Sequence, residues 1–475
     1  MIFGWIAWGL VAMGQLKAPK LIGFLKFKSR LASLLCAVLS LGIVWFGSAN
    51  IPIKLWGTQG TEKNGYFLNF FLGIRDSFIE MPENYNPFNL NQVQSFYVPT
   101  EYNKDREDFP NVIVIMNESF ADFDVLGQLR TNQPITPFLD SLDENTIKGY
   151  ALSSVFGANT ANSEFEFLTG HSMAFLPENS VPYQQYISNN ICTLVWYMKS
   201  CGYDTFATHP YYADGWSRNK IYPKLGFFDF TFEEDYPKTN ILRNYISDRE
   251  MYEYIINKFN TKPKDSPLFL FGITMQNHGG YTYSSEEYVQ SITLDGYSRP
   301  YPLAEQYFSV LNESDKAMEY LLTTLESYPE DTIVVFFGDH FPKVETEFYE
   351  ELHGGAYDTL EDQLLQYKVP FYIWANYDIE EEFVPCTSLN YLALHLLKAA
   401  DMDLPPYYSF LSDLEKTIPA MNAQGYYSAA AGGFIPYEEA PADEKAAINK
   451  YAIMQYNNMF DFDNRSYMFF QQYIQ

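Results

Sequence analysis

Three apolar runs that stop at chemistry-bearing residues constrain this chain more than any other feature. They are "NVIVIMNES" (111–119), "LFLFGITMQNHGGY" (268–281) and "DTIVVFFGDHFP" (331–342). Each opens on β-branched or aromatic residues with no polar alternation, the pattern of a strand buried on both faces. "VPFYIWAN" (369–376) reads the same way. Helical stretches lie between them, such as 303–328 and 387–400. Strands alternating with helices predict an α/β fold, a mostly parallel sheet with helices on both faces. Ligands in such sheets bind beyond the carboxyl ends of the strands. The strand ends here carry Glu118, His278, and Asp339 with His340. There is no internal repeat, no P-loop and no GxGxxG motif.

The N-terminus reads differently. Residues 31–53 contain no charge, and about 20 apolar residues cross a bilayer as a helix. The uncharged stretch 1–16 reads as the tail of a further span, and the chain as an N-terminally shortened version of a protein with more of them. Between the two lies "KAPKLIGFLKFKSR" (17–30), with five positive charges. The positive-inside rule places that loop in the cytoplasm, and the rest of the chain outside the cell membrane.

Charge sharpens the division. The net charge is −28, yet residues 1–61 hold six basic residues and no acid. The remaining body is therefore strongly acidic and offers no basic footprint for phosphates of DNA or RNA, which argues against a nucleic-acid partner. Residues 54–109 are rich in Asn, Tyr and Pro and read as an extracytoplasmic linker. Residues 110–400 form the expected catalytic domain, and 401–475 a small C-terminal α+β flank. The four cysteines show no CxxC and no zinc-type spacing.

"GANTANSEFEFLTG" (157–170) places Thr160 where a loop becomes a helix. Thr160 or Asn162 could cap that helix, and Ser163 with Glu166 has capping-box spacing. The same position suits a nucleophile, because a helix N-terminus favours an anion. Glu, Asp and His together suit a divalent metal, and a threonine oxygen can complete its shell. Metal coordination would lower the pKa of an otherwise unreactive hydroxyl. Each residue alone has a plainer reading: a cap, a solvated strand-end acid, a turn. The joint pattern points to chemistry.

"NES", "NTANSEFEFLTG", "GWSRNKIYPKLGF", "TMQNHGGY" and "GDHFP", in this order, resemble the lipoteichoic acid synthase family. These are membrane-anchored phosphoglycerol transferases of the alkaline phosphatase/sulfatase superfamily. The resemblance covers roughly residues 108–400. It implies that Glu118, Thr160, Asp339 and His340 hold one divalent ion, typically Mn2+ in this family, with Mg2+ or Zn2+ as alternatives. It implies Thr160 as nucleophile, with Trp216, Arg218 and His278 contacting glycerol phosphate and His209 ("ATHPYY") joining them. The C-x-P-x-R motif of formylglycine sulfatases is absent, which argues against sulfate-ester hydrolysis.

The expected reaction is transfer of glycerol phosphate from phosphatidylglycerol to a polymer or glycolipid acceptor through a phospho-threonine intermediate. The same site with water as acceptor would make a phosphodiesterase, and another headgroup would make a phosphoethanolamine-type transferase. An inactive membrane-tethered binding ectodomain is the alternative of another class.

Overall fold

The computed structural model describes residues 23–47, 65–66, 68, 70–72, 79–97, 109–177, 180–264, 266–283 and 288–474. They fall into two units, Met1–Phe78 and Ile79–Gln475. In the first, Gly23–Gly47 is one helix of 25 residues. Among the described residues, no helix is long and apolar enough to cross a membrane. The span expected over 31–53 is helical as far as Gly47; residues 48–53 and the partial span 1–16 lie outside the described residues.

The second unit is built on an eight-stranded sheet. Its strands are β1 (Asn111–Asn117), β2 (Thr146–Leu152), β3 (Asp204–Thr208) and β4 (Asp229–Thr231), then, past the hairpin β5 (Ile241–Leu242) and β6 (Tyr245–Ile246), β7 (Leu268–Ile273), β8 (Thr332–Gly338), β9 (Lys368–Ala375) and β10 (Glu382–Ser388). The order is β10-β2-β9-β8-β1-β7-β3-β4. Only β9 runs against the rest, pairing antiparallel with both β2 and β8. The sheet is thus mostly parallel, as expected of its apolar strands. β1, β7 and β8 are buried along their whole length. The parallel connections β1–β8 and β1–β7 put the three most apolar strands side by side at the centre.

Edge strands are less apolar. β10 reads "EFVPCTS", and its pairing with β2 shifts register between Val384 and Thr387. Pro385 sits inside that shift, which suits a proline because it has no N–H to give a ladder.

Residues 401–475 belong to the same unit as the sheet. They supply the helices Pro406–Glu415 and Ala442–Met459 and a small antiparallel sheet, β11 (Ala420–Met421), β12 (Tyr426–Ser428) and β13 (Gly433–Ile435). Their polar side chains reach the end of the Thr160–Thr169 helix. The hydroxyls of Tyr407 and Tyr451 both donate to the Gly170 carbonyl, at 2.7 and 2.6 Å. Asn458 bonds His171 Nε2 at 2.8 Å. Every residue of the Thr160–Thr169 helix is buried. Its Phe167 stacks on Phe271 of β7 and Phe337 of β8, which fixes the helix over the centre of the sheet.

Candidate active site

Asn117 ends β1 and pairs in register with Gly338, which ends β8. Two adjacent parallel strands therefore deliver Glu118 and Asp339 to one edge. Gly338 is required for this approach. A Cβ there would lie 1.8 Å from the Phe120 carbonyl oxygen, a clash that a backbone atom cannot relieve.

Thr160 joins them from the helix above. It is the first helical residue, and the N-cap is Asn159, left-handed at φ 67° and making no side-chain capping bond. The caps and capping box open to residues 160–166 do not form, because each side chain has a tertiary partner instead. Thr160 Oγ1 donates to Glu118 Oε2 at 3.0 Å. Asn162 donates to the Ser180 carbonyl at 3.0 Å. Ser163 Oγ donates to the Asp339 carbonyl at 2.7 Å. Glu166 accepts from Ser154 at 2.7 Å and from the Met173 amide at 2.9 Å.

Glu118, Asp339 and His340 are buried and place one ligand atom each within 4.8 Å of one another. His340 Nε2 lies 3.3 Å from Asp339 Oδ2 and 3.8 Å from Glu118 Oε1. His340 Nδ1 lies 2.9 Å from the Phe341 carbonyl; that oxygen can only accept, so Nδ1 carries the proton and Nε2 the lone pair. Asp339 Oδ1 accepts from the amides of Ser119 and His340, at 2.6 and 2.8 Å. Its Oδ2 and His340 Nε2 are left buried with no hydrogen-bond partner. Unsatisfied buried polar atoms are costly. Two of them converging on a second carboxylate match the donor set of a divalent cation. Burial pushes the Asp339 carboxyl up, and the like charge of Glu118 adds to the shift. A cation among these groups would reverse that shift.

The remaining sequence-predicted residues are Arg218, His209, His278 and Trp216. Arg218 is buried, and its Nε donates to Glu164 Oε2 at 3.0 Å while Nη2 has no partner. Burial pushes the Glu164 carboxyl up and Arg218 pulls it back. His209 is buried with Nδ1 3.0 Å from the Ile273 carbonyl, so Nε2 remains an acceptor. Burial, with the charge of Arg218 added, drives His209 well below the ordinary imidazole range. It is neutral at physiological pH. His278 is exposed, and its Nδ1 meets the Tyr245 hydroxyl at 3.1 Å. Trp216 is half-buried in a turn where both it and Ser217 adopt left-handed backbone, at φ 54° and 63°. Two successive non-glycine residues in that region store strain of order 1 kcal/mol or more each.

Sequence reasoning missed three contributors. Ser119, left-handed at φ 53°, bonds both carboxylates, through Oγ to Glu118 at 3.0 Å and through its amide to Asp339. Glu164 holds Arg218. Arg243 is buried beside His278, and its Nη2 donates to the carbonyls of Gln276 and His278. "NES" carried a hint of the first. Nothing local marks the other two, whose partners are distant in sequence.

A sequence model of the sulfatase family matches residues 110–402, more than half of the chain. The chain belongs to the sulfatase family. Its fold is that of the alkaline phosphatase/sulfatase superfamily. It superposes on the Streptococcus pyogenes phosphoglycerol transferase GacH, solved with sn-glycerol-1-phosphate, with a TM-score of 0.67 at 21% identity. That match covers 81% of this chain and 97% of the other. The lipoteichoic acid synthase LtaP from Listeria monocytogenes gives a TM-score of 0.56 at 18% identity, covering 78% of this chain and 98% of that one. In sequence the chain is 30% identical over 372 residues to a Rhizobium meliloti (strain 1021) protein named "Putative cyclic beta-1,2-glucan modification protein". That alignment covers 76% of this chain and 56% of the relative. This sulfatase-family chain spans about half the length of the curated relatives it matches.

Proposed function

We propose that this protein is a metal-dependent phosphoglycerol transferase that moves glycerol phosphate from a phosphatidylglycerol headgroup to a glycan or polymer acceptor. The observation that carries the reading is the placement of Thr160. Its hydroxyl opens a buried helix, 3.0 Å from Glu118, beside the unpartnered atoms of Asp339 and His340.

Glu118, Asp339, His340 and Thr160 would hold one divalent ion. Bound there, the ion would lower the pKa of the threonine hydroxyl and draw charge from the phosphoryl oxygens. The chain's own groups do the rest. Thr160 Oγ1 attacks phosphorus, an O–P bond forms, and the P–O bond to diacylglycerol breaks. The proton lost by Thr160 ends on the departing diacylglycerol oxygen. An acceptor hydroxyl then attacks the same phosphorus. The Thr160 O–P bond breaks and Oγ1 recovers a proton from the acceptor. Arg218, oriented by Glu164, offers Nη2 to a phosphoryl oxygen. Neutral His209 offers Nε2 to a headgroup hydroxyl, and Trp216 and His278 close the pocket on the headgroup. A membrane anchor through 31–53 would keep the site near its lipid, with the catalytic domain outside. The name of the Rhizobium meliloti relative supports a saccharide acceptor.

The test uses purified full-length protein, fluorescent phosphatidylglycerol and manganese. Labelled diacylglycerol is expected from wild type and not from Thr160→Ala. Undiminished product from Thr160→Ala overturns the nucleophile. Release of free glycerol phosphate in the presence of a glycan acceptor, with none transferred, makes the enzyme a hydrolase instead.

A further inference from the structure

Arg243 is a buried cation that the mechanism above leaves unused. It is 5% exposed, and among the described residues no carboxylate lies within ion-pair distance of it. Among the described residues its Nε and Nη1 have no hydrogen-bond partner. Its backbone is left-handed, at φ 54°, in the link between β5 and β6, a conformation that glycine or asparagine takes more readily. The strained turn aims the side chain inward. There the guanidinium sits between three tyrosine rings, 5.4 Å from Tyr245, 5.4 Å from Tyr281 and 5.2 Å from Tyr283.

This group borders the site. Tyr281 packs edge-on against Tyr307 at 5.5 Å, and the Tyr307 hydroxyl donates to the Ser119 carbonyl at 2.9 Å, next to Glu118. On the other side Arg243 holds the His278 carbonyl at 3.0 Å. Burial pulls the Arg243 guanidinium below its ordinary range, and the charge of Glu118 works against that pull.

The charges of the site can be paired off. Glu118 and Asp339 would balance a divalent ion, and Glu164 balances Arg218. Among the described residues Arg243 is left over, a positive charge on the side of His278. Three aromatic rings facing one point would ordinarily welcome an ammonium group. Here that place is already taken by a cation of the protein, which repels a second one.

We infer that Arg243 sets the headgroup preference of this site: it favours a phosphate ester of an uncharged polyol and rejects one that carries an ammonium group. The inference rests on the phosphotransferase reading above and names the substrate class of that same site. Arg243 acts here by charge, so its effect must follow the charge of the headgroup and not its size.

Full-length protein with manganese is titrated calorimetrically with three headgroup phosphates: glycerol phosphate, phosphoethanolamine and N-acetyl-phosphoethanolamine. Acetylation removes the positive charge and keeps the chain. Glycerol phosphate is expected to bind roughly tenfold tighter than phosphoethanolamine, and acetylation is expected to recover most of the difference. Arg243→Gln should bring the ratio near one, and Arg243→Lys, which keeps the charge, should restore it. Vesicles of phosphatidylglycerol or phosphatidylethanolamine then show whether the same order holds for lipid-borne headgroups. An acetylated ligand as weak as phosphoethanolamine overturns the role of charge, whether or not Arg243→Gln folds. So does a wild type without preference, or an Arg243→Gln variant that keeps it. A wild type that binds none of the three overturns the site reading itself, and this inference with it.

Discussion

Arg218 and Glu164 form an ion pair inside the protein, Nε to Oε2 at 3.0 Å, with 2% and 0% of their side chains exposed. Glu164 lies on the buried helix that begins with Thr160, so the candidate phosphate-binding arginine is tied to the candidate nucleophile's own helix. Removing one member of such a pair strands a charge in the interior, which costs roughly 3–5 kcal/mol. Arg218→Ala should therefore lose stability as well as turnover. Arg218→Met with Glu164→Leu should recover most of the stability and none of the turnover, measured by urea unfolding and diacylglycerol release. Turnover in that double variant would remove Arg218 from the reaction.

Thr160 is no helix cap, so its removal is inexpensive. Thr160→Ala deletes one hydrogen bond to Glu118, a change of about 1 kcal/mol, while product formation should vanish. Thr160→Ser should retain partial turnover. A Thr160→Ala protein destabilised by several kcal/mol would mean that the hydroxyl holds the site together.

The unpartnered atoms of Asp339 and His340 predict stabilisation by metal. A divalent ion at about 100 times its Kd adds about 2.7 kcal/mol to the folded state. Scanning calorimetry with and without a chelator should show an upward shift of Tm with manganese. His340→Ala and Asp339→Asn should each abolish the shift, although the variants fold.

Glu166 gives a pH signature away from the cation cluster. Burial pushes its carboxyl up to about 7, against bonds from Met173, Ser154 and Ser172. The unfolded group titrates near 4.5. The folded protein therefore holds a proton that the unfolded chain releases, and this contribution fades as pH rises from about 4.5 to about 7. Glu166→Gln removes the effect. Relative to wild type it should gain on the order of 3 kcal/mol between pH 4 and pH 8. Parallel stability curves for the two proteins would refute the shift.

Residues beyond the family match bond the C-terminal end of the Thr160–Thr169 helix and the segment after it. Ending the chain at residue 402 would strip Tyr407 and Tyr451 from the Gly170 carbonyl and Gln455 from Ser172. A truncated protein should be insoluble or unfolded by circular dichroism. The single change Tyr451→Phe should cost about 1–2 kcal/mol.

The central sheet was legible because β1, β7 and β8 are buried on both faces and read as unbroken apolar runs. β2 ("TIKGYAL") and β10 ("EFVPCTS") escaped notice, since partial exposure, Lys148, Gly149 and Pro385 break up the pattern. The reversed direction of β9 is a matter of connection and leaves no trace in composition. Glu118, Asp339 and His340 could be named because each follows a recognisable strand. Thr160 was located, but its side chain could as well have been a cap; only the position of Glu118 in space decides between partners. Arg243 and Glu164 depend on contacts between distant segments, which no local spacing encodes.

The Thr160–Thr169 helix has no solvent face. The end that carries the proposed nucleophile is thus continuous with the protein's interior, and conditions that loosen packing should silence the proposed reaction before they unfold the chain. Random mutagenesis of these ten positions would collect mostly folding failures. Position 160 is then constrained twice, once by the role proposed for its hydroxyl and once by the packing around its helix.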